Sequence, residues 1–253
     1  PNSPADGPLK VGDVILGVGD KNFSYDPRTE FGKALTHAEE KSGILKVLRW
    51  RDGQSVTVSL NLTVLGSYSS TAPYKCAKSK RILEIGCEQL AEKISNSVNR
   101  PENPIIRSLN ALALLASGNK AYLRIIKEEA EWASNYRADS MATWYYGYVI
   151  TLLAEYTAAT GDRSFLPGLK RLALEASEGQ SIVGSWGHKF AGEDGRLVGY
   201  GMMNAPGLTL TTSLILAQKA GVTEPKVRIA IERSTKLLRF YIGKGAVPYG
   251  CLL

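Results

Sequence analysis

Beyond residue 80 the sequence changes period, and that change limits the folds open to the chain. Apolar positions there recur at helical spacing and glycine punctuates them. Ile82, Ile85, Leu90 and Ile94 mark a first amphipathic helix, and Pro101 and Pro104 precede the next, over 105–117. After Gly118, residues 121–136 set Leu123, Ile126, Ala130 and Ala133 against Lys127, Glu128 and Glu131. The pair then recurs. Residues 141–160 are apolar nearly all round and stop at Gly161, with a more polar helix over 164–177. Residues 208–220 are again apolar and stop at Gly221, and 224–242 follow as an amphipathic helix. Gly118 and Gly161 are 43 residues apart and Gly161 and Gly221 are 60, and removing most of the 23-residue loop over 184–206 restores a period near 40. Repeated helical hairpins of this kind bury their apolar helices by stacking. A helix apolar on all faces must also be covered on all sides, which favours a double ring over an open solenoid.

The first seventy residues read differently. A turn and strand over 11–18 lead to a helix that Asp26-Pro27 can cap and start, with Phe31, Ala34, Leu35 and Ala38 on its apolar face. Two strands, 44–50 and 55–60, then flank Arg51-Asp52-Gly53-Gln54, and Asp-Gly between them signals a hairpin. Gly66, Ser67, Ser69, Ser70, Thr71 and Pro73 suit a linker. The expected fold class is therefore multi-domain, α+β and then all-α. The expected domains are 1–65, a linker over 66–79 and helical hairpins over 80–253.

Charge divides along the same line. The chain holds 31 Lys and Arg against 24 Asp and Glu, a net charge of +7. Residues 1–70 hold eight of each sign, so the surplus belongs to the helical part. Only Lys75, Lys78, Lys80 and Arg81 cluster. Without aligned cations or stacking platforms, nucleic acid is not an expected partner. No apolar run approaches the roughly 20 residues of a membrane-spanning helix. With His37 and His188 the only histidines, no metal site is expected, and no cofactor motif occurs. Cys76 and Cys87 are expected as buried free thiols.

Two resemblances carry the reading further. Ser3-Pro4-Ala5-Asp6-Gly7, then Leu9-Lys10-Val11-Gly12-Asp13-Val14-Ile15-Leu16, closely resembles the middle of a bacterial PDZ domain, and 45–49 and 56–58 fit the same pattern. The resemblance implies binding of a peptide or protein partner, with a C-terminal peptide adding as a strand beside the helix. It carries Phe31, Ala34, Leu35 and Ala38 over as the helix wall of the groove. The carboxylate-binding loop would precede Ser3, so a missing segment or another chain is expected to complete the sheet.

Ser185-Trp186-Gly187-His188, Gly199-Tyr200-Gly201 and Gly207-Leu208 leading into 214–217 resemble repeats of the squalene-cyclase and prenyltransferase type of α/α toroid. A PDZ module ahead of a toroid is similar to a bacterial family of unassigned function, which implies a periplasmic or secreted location. Both modules are expected to be incomplete, the toroid at its C-terminal end.

Chemistry is expected in the 184–206 loop, because long loops in compact domains are often functional. It holds His188, Glu193, Asp194 and Tyr200 as candidate catalytic residues and Trp186, Arg196 and Asn204 as candidate binding residues. These are the acid, base, aromatic and amide types of glycan processing. A hydrolase needs two carboxylates about 5–10 Å apart, and Asp139 is the candidate second acid. A lyase needs a base such as Tyr200 or His188, with Asn204 and Arg196 neutralising a uronate, and the basic surplus favours an acidic glycan. The Asp-rich motifs of terpene cyclases, a Gly-x-Ser-x-Gly elbow and a Gly-Lys-Ser/Thr phosphate loop are all absent from the sequence. Two functions follow from this reading: a peptide-binding or scaffold protein, or a glycan-active enzyme.

Overall fold

The computed structural model describes residues 3–96, 103–138 and 141–250. Pro101, Asp139 and Cys251 lie outside the described residues. The chain is α+β and then all-α, in two compact units, Pro1–Gly86 and Cys87–Leu253.

The first unit is a four-stranded antiparallel sheet with one helix. Its strands are β1 (Val14–Val18), β2 (Lys21–Asn22), β3 (Ile44–Arg51) and β4 (Gln54–Asn61), in the order β2-β1-β3-β4, with α1 (Pro27–Glu40) between β2 and β3. Asp52 and Gly53, at φ 49° and 80°, form the two-residue turn that pairs Arg51 with Gln54. The two-residue β2 was not anticipated, since a strand that short has no alternation to read. Asp26 caps α1 by accepting from the Arg28 N–H at 2.9 Å, and Pro27 takes the first position, where no N–H is needed. Gly43 ends the helix at φ 69°; a β-carbon there would lie 2.6 Å from the Leu62 carbonyl oxygen.

Period-two alternation puts Leu45 and Val47 of β3 inward with Leu60 of β4, against Ala38 of α1. Phe31, Ala34 and Leu35 pack half-buried on that core. Arg51 clamps Asp13 through two bonds of 2.5 and 2.7 Å. That guanidinium, helped by the Lys10 N–H, holds the Asp13 carboxyl down at about 2.

Residues 66–79, read from composition as a linker, are fastened to this unit. The Leu65 and Gly66 N–H groups donate to the Glu39 carbonyl, and the buried Lys78 ammonium lies 2.7 Å from the Glu39 carboxylate. At the start of α2 (Ala77–Ser95), Ser79 and the Ser69 N–H hold the Cys76 thiol down at about 6. Cys76 and Cys87 are free, buried thiols.

The second unit continues through α3 (Pro104–Ala116), α4 (Leu123–Asn135), α5 (Ala142–Thr160), α6 (Leu166–Glu178), α7 (Asn204–Lys219) and α8 (Pro225–Leu238). Helix α5 packs on α7 and α3 most extensively and on α4 and α6 as well. Helix α6 also packs against α4 and α8. Helices α5 and α7 run side by side in the same direction. Gly147 and Thr209 are each six residues into their helix, and a β-carbon on Gly147 would meet the Thr209 methyl at 2.8 Å. The core runs through all these helices, from Cys87 and Leu114 to Leu153, Leu172, Leu214 and Ala230. Between α3 and α4, Arg107 grips the fully buried Glu129 carboxylate with two bonds and lies 4.0 Å over the Trp132 ring.

The start of α7 differs from expectation. The helix begins at Asn204, four residues before Leu208. Pro206 falls in its first turn, where a missing N–H costs nothing, so the proline marks a helix start and not the end of a loop.

Candidate functional site

Helices α5 and α7 begin at the same end of the unit, and the segment between α6 and α7 folds across that end. Its residues 188–190 alternate over the first turns of α5. His188 stacks on Trp144 with ring centroids 6.0 Å apart, and Phe190 meets Tyr146 edge-on at 5.1 Å. The Trp144 indole N–H donates to His188 Nδ1 at 2.8 Å. Indole nitrogen is only a donor, so this bond fixes Nδ1 as the unprotonated nitrogen and leaves the ring hydrogen on Nε2. Tyr200, held between Gly199 and Gly201 at φ 74° and 72°, sets its ring against His188 at 5.7 Å. Tyr249 reaches Trp144 at 6.2 Å from the C-terminal segment, and its carbonyl accepts from the Asn204 and Ala205 N–H groups. Tyr200 is 73% exposed and Tyr249 61%. The result is a rim of four aromatic side chains, two of them open to solvent.

On the other side of residues 188–190 lies a cleft of about 410 Å³. Tyr146 and Phe190 line it, with Glu175 and Glu178 from α6 and Glu193 from the loop. The Tyr146 hydroxyl donates to Glu175, whose carboxylate also takes Arg171 at 2.8 and 3.0 Å. Burial pushes the Tyr146 hydroxyl far above the ordinary phenol range, and the Glu175 hydrogen bond adds to that shift. Tyr146 therefore stays a neutral donor at any physiological pH.

The expected site residues thus fall into separate places. His188 and Tyr200 meet in the aromatic rim, and Glu193 faces the cleft. Asp194 accepts from the Arg196 N–H at 3.0 Å and both side chains are exposed, so this pair shapes a surface turn. Trp186 has no exposed surface and its indole N–H donates to the Ala176 carbonyl at 2.8 Å, which makes it part of the core. Asn204 is buried in the first turn of α7, donating to Tyr241 and to the Pro248 carbonyl at 3.1 and 3.0 Å. Phe31, Ala34, Leu35 and Ala38 share the core of the first unit.

Trp144, Tyr146, Phe190, Tyr249, Glu175 and Glu178 were not anticipated as site residues. The aromatic run at the start of α5 was visible, but aromatics at helical spacing read as core. Among the described residues no group of three His, Cys, Asp or Glu is placed to hold a metal ion. No helix there is long and apolar enough to cross a membrane.

The chain is an α+β unit followed by a helical one, with aromatic side chains gathered where α5 and α7 begin. Residues 79–252 match the family model described as a domain of unknown function (DUF6288), and the chain belongs to that family. No curated protein and no solved structure matches it.

Proposed function

We propose that this chain is a binding or scaffold protein whose helical unit is an α/α-toroid-like ligand platform. The exposed aromatic rim supports this reading most directly. Tyr200 and Tyr249 are large, amphipathic and solvent-facing, and they flank a Trp144–His188 pair already locked by a hydrogen bond. Preorganised aromatics beside polar groups suit stacking on a sugar ring or a peptide side chain. In this reading the first unit is PDZ-like and takes a peptide or protein partner as an added strand. Among the described residues β4 is an edge strand of eight residues, which is the geometry such addition uses. The test is titration of the chain with oligosaccharide and C-terminal-peptide panels while tryptophan fluorescence is followed, with Trp144→Phe separating the Trp144 signal from that of Trp50, Trp132 and Trp186. Saturable quenching that Tyr200→Ala weakens supports the platform. Quenching that this variant leaves unchanged rejects it.

A second reading, a glycan-active enzyme, is favoured by one observation: Glu193 shares its cleft with Glu175 and Glu178. Two carboxylates across a cleft are what a hydrolase requires. Among the described residues Glu193 forms no ion pair or hydrogen bond through its side chain, while Glu175 is held by Arg171 and Tyr146. Turnover of an acidic polysaccharide that Glu193→Gln abolishes supports this reading. Turnover that survives Glu193→Gln removes it.

A further inference from the structure

The two halves of α8 treat their charges differently. In the first half each cation has an acid: Lys226 bonds Glu178 at 2.6 Å, and Arg228 bonds Glu232 at 2.6 Å. In its second half Arg233 and Lys236 are exposed, as is Arg239 just past its end, and none of the three forms an ion pair among the described residues. Lys244 joins them, 3.3 Å over the Phe240 ring.

Arg233 and Lys236 border apolar surface. A groove of about 440 Å³ is lined by Ile182, Val183, Arg233, Lys236, Leu237 and Phe240. Ile182 is 73% exposed, Val183 56% and Phe240 63%. Ile242, two residues past Phe240, is 78% exposed. The turn beside Ile182, whose N–H donates to the Gly195 carbonyl, carries Asp194, and Arg196 pairs with that acid.

We propose that this groove docks an acidic, apolar peptide segment of a protein partner. Large side chains left in water around a concavity mark an interaction surface. An apolar centre ringed by charge is the anatomy of a protein interface. The unpaired cations set the sign of the partner, because an acidic segment meets them and a basic one is repelled. The concave shape fits projecting side chains such as Leu or Phe better than the flat face of a lipid bilayer. Nucleic acid would leave the apolar centre unused. The groove shares no residue with the aromatic rim or the carboxylate cleft, so the inference is independent of the proposed function.

The test is selection of random short peptides on the full chain, followed by affinity measurement on variants. Selected sequences are expected to mix Asp or Glu with Leu, Ile or Phe. Their affinity is expected to fall at least about tenfold in Arg233→Glu/Lys236→Glu and in Phe240→Ser, with unchanged melting. Tyr200→Ala should leave it intact, and raising salt from about 50 to about 500 mM should weaken it. No enrichment, enrichment without acidic residues, or affinity indifferent to the groove variants overturns the proposal. Phosphatidylserine vesicles that bind the parent chain but not the charge-reversed variant, and that the peptides fail to displace, assign the surface to lipid and also overturn it.

Discussion

The sheet unit and the helical unit solve the burial problem with different means. In the first, Ala38, Leu45, Val47 and Leu60 are the buried core, and charge clamps such as Asp13–Arg51 and Glu39–Lys78 hold its periphery. In the second, apolar side chains from every helix form one continuous core. In the sheet unit Phe31, Ala34 and Leu35 pack on the small core, while Tyr25 and Tyr74 stay exposed at separate turns. The helical unit also leaves Tyr200 and Tyr249 in solvent, but it gathers them around the hydrogen-bonded Trp144–His188 pair. Surplus side chains at a defined place are a better guide to function than residues the core already uses.

Three perturbations probe that contrast, from the largest expected effect downward. Glu129→Ala leaves Arg107 without its buried partner and should cost about 3–5 kcal/mol, read as a lower urea midpoint for the helical unit. A loss below about 1 kcal/mol would mean that the pair is not buried in solution. Val47→Ala opens the small core and should cost about 2 kcal/mol in the sheet unit alone, followed by strand-resolved hydrogen exchange. If α5 and α7 lose protection equally, the two units are not separate cooperative bodies.

The third is a pH dependence. Because Arg51 holds Asp13 at about 2, below the ordinary 3.8, its contribution to stability is complete above about pH 4. That contribution should fade as pH drops toward 2, and Asp13→Asn should flatten this part of the profile. A carboxyl resonance of Asp13 that titrates near 3.8 would show the clamp to be open.

What could be read from the sequence was local. Asp52-Gly53 announced its hairpin and Asp26-Pro27 its helix start, and Gly161 ended an apolar helix, because each acts through its own backbone. Composition and period likewise separated the sheet from the helices. Side-chain direction was not local. Trp186, between Ser185 and Gly187, fills the core, and Trp144, between Thr143 and Tyr145, supports the rim, and neither set of neighbours dictates that outcome. Glu175 and Glu178 lie on the polar side of an amphipathic helix, and only the fold of the 179–203 segment brings Glu193 over them. Pro206 looked like a loop residue because its role depends on the helix that starts two residues earlier.

The most direct test concerns the rim. Tyr200→Ala/Tyr249→Ala should leave the melting temperature within about 2 °C of the parent, since both rings are exposed. The same variant should weaken binding of whichever oligosaccharide or peptide quenches Trp144 by about tenfold or more, roughly 1.4 kcal/mol. Unchanged affinity with unchanged melting would show that the aromatic rim is not the binding surface.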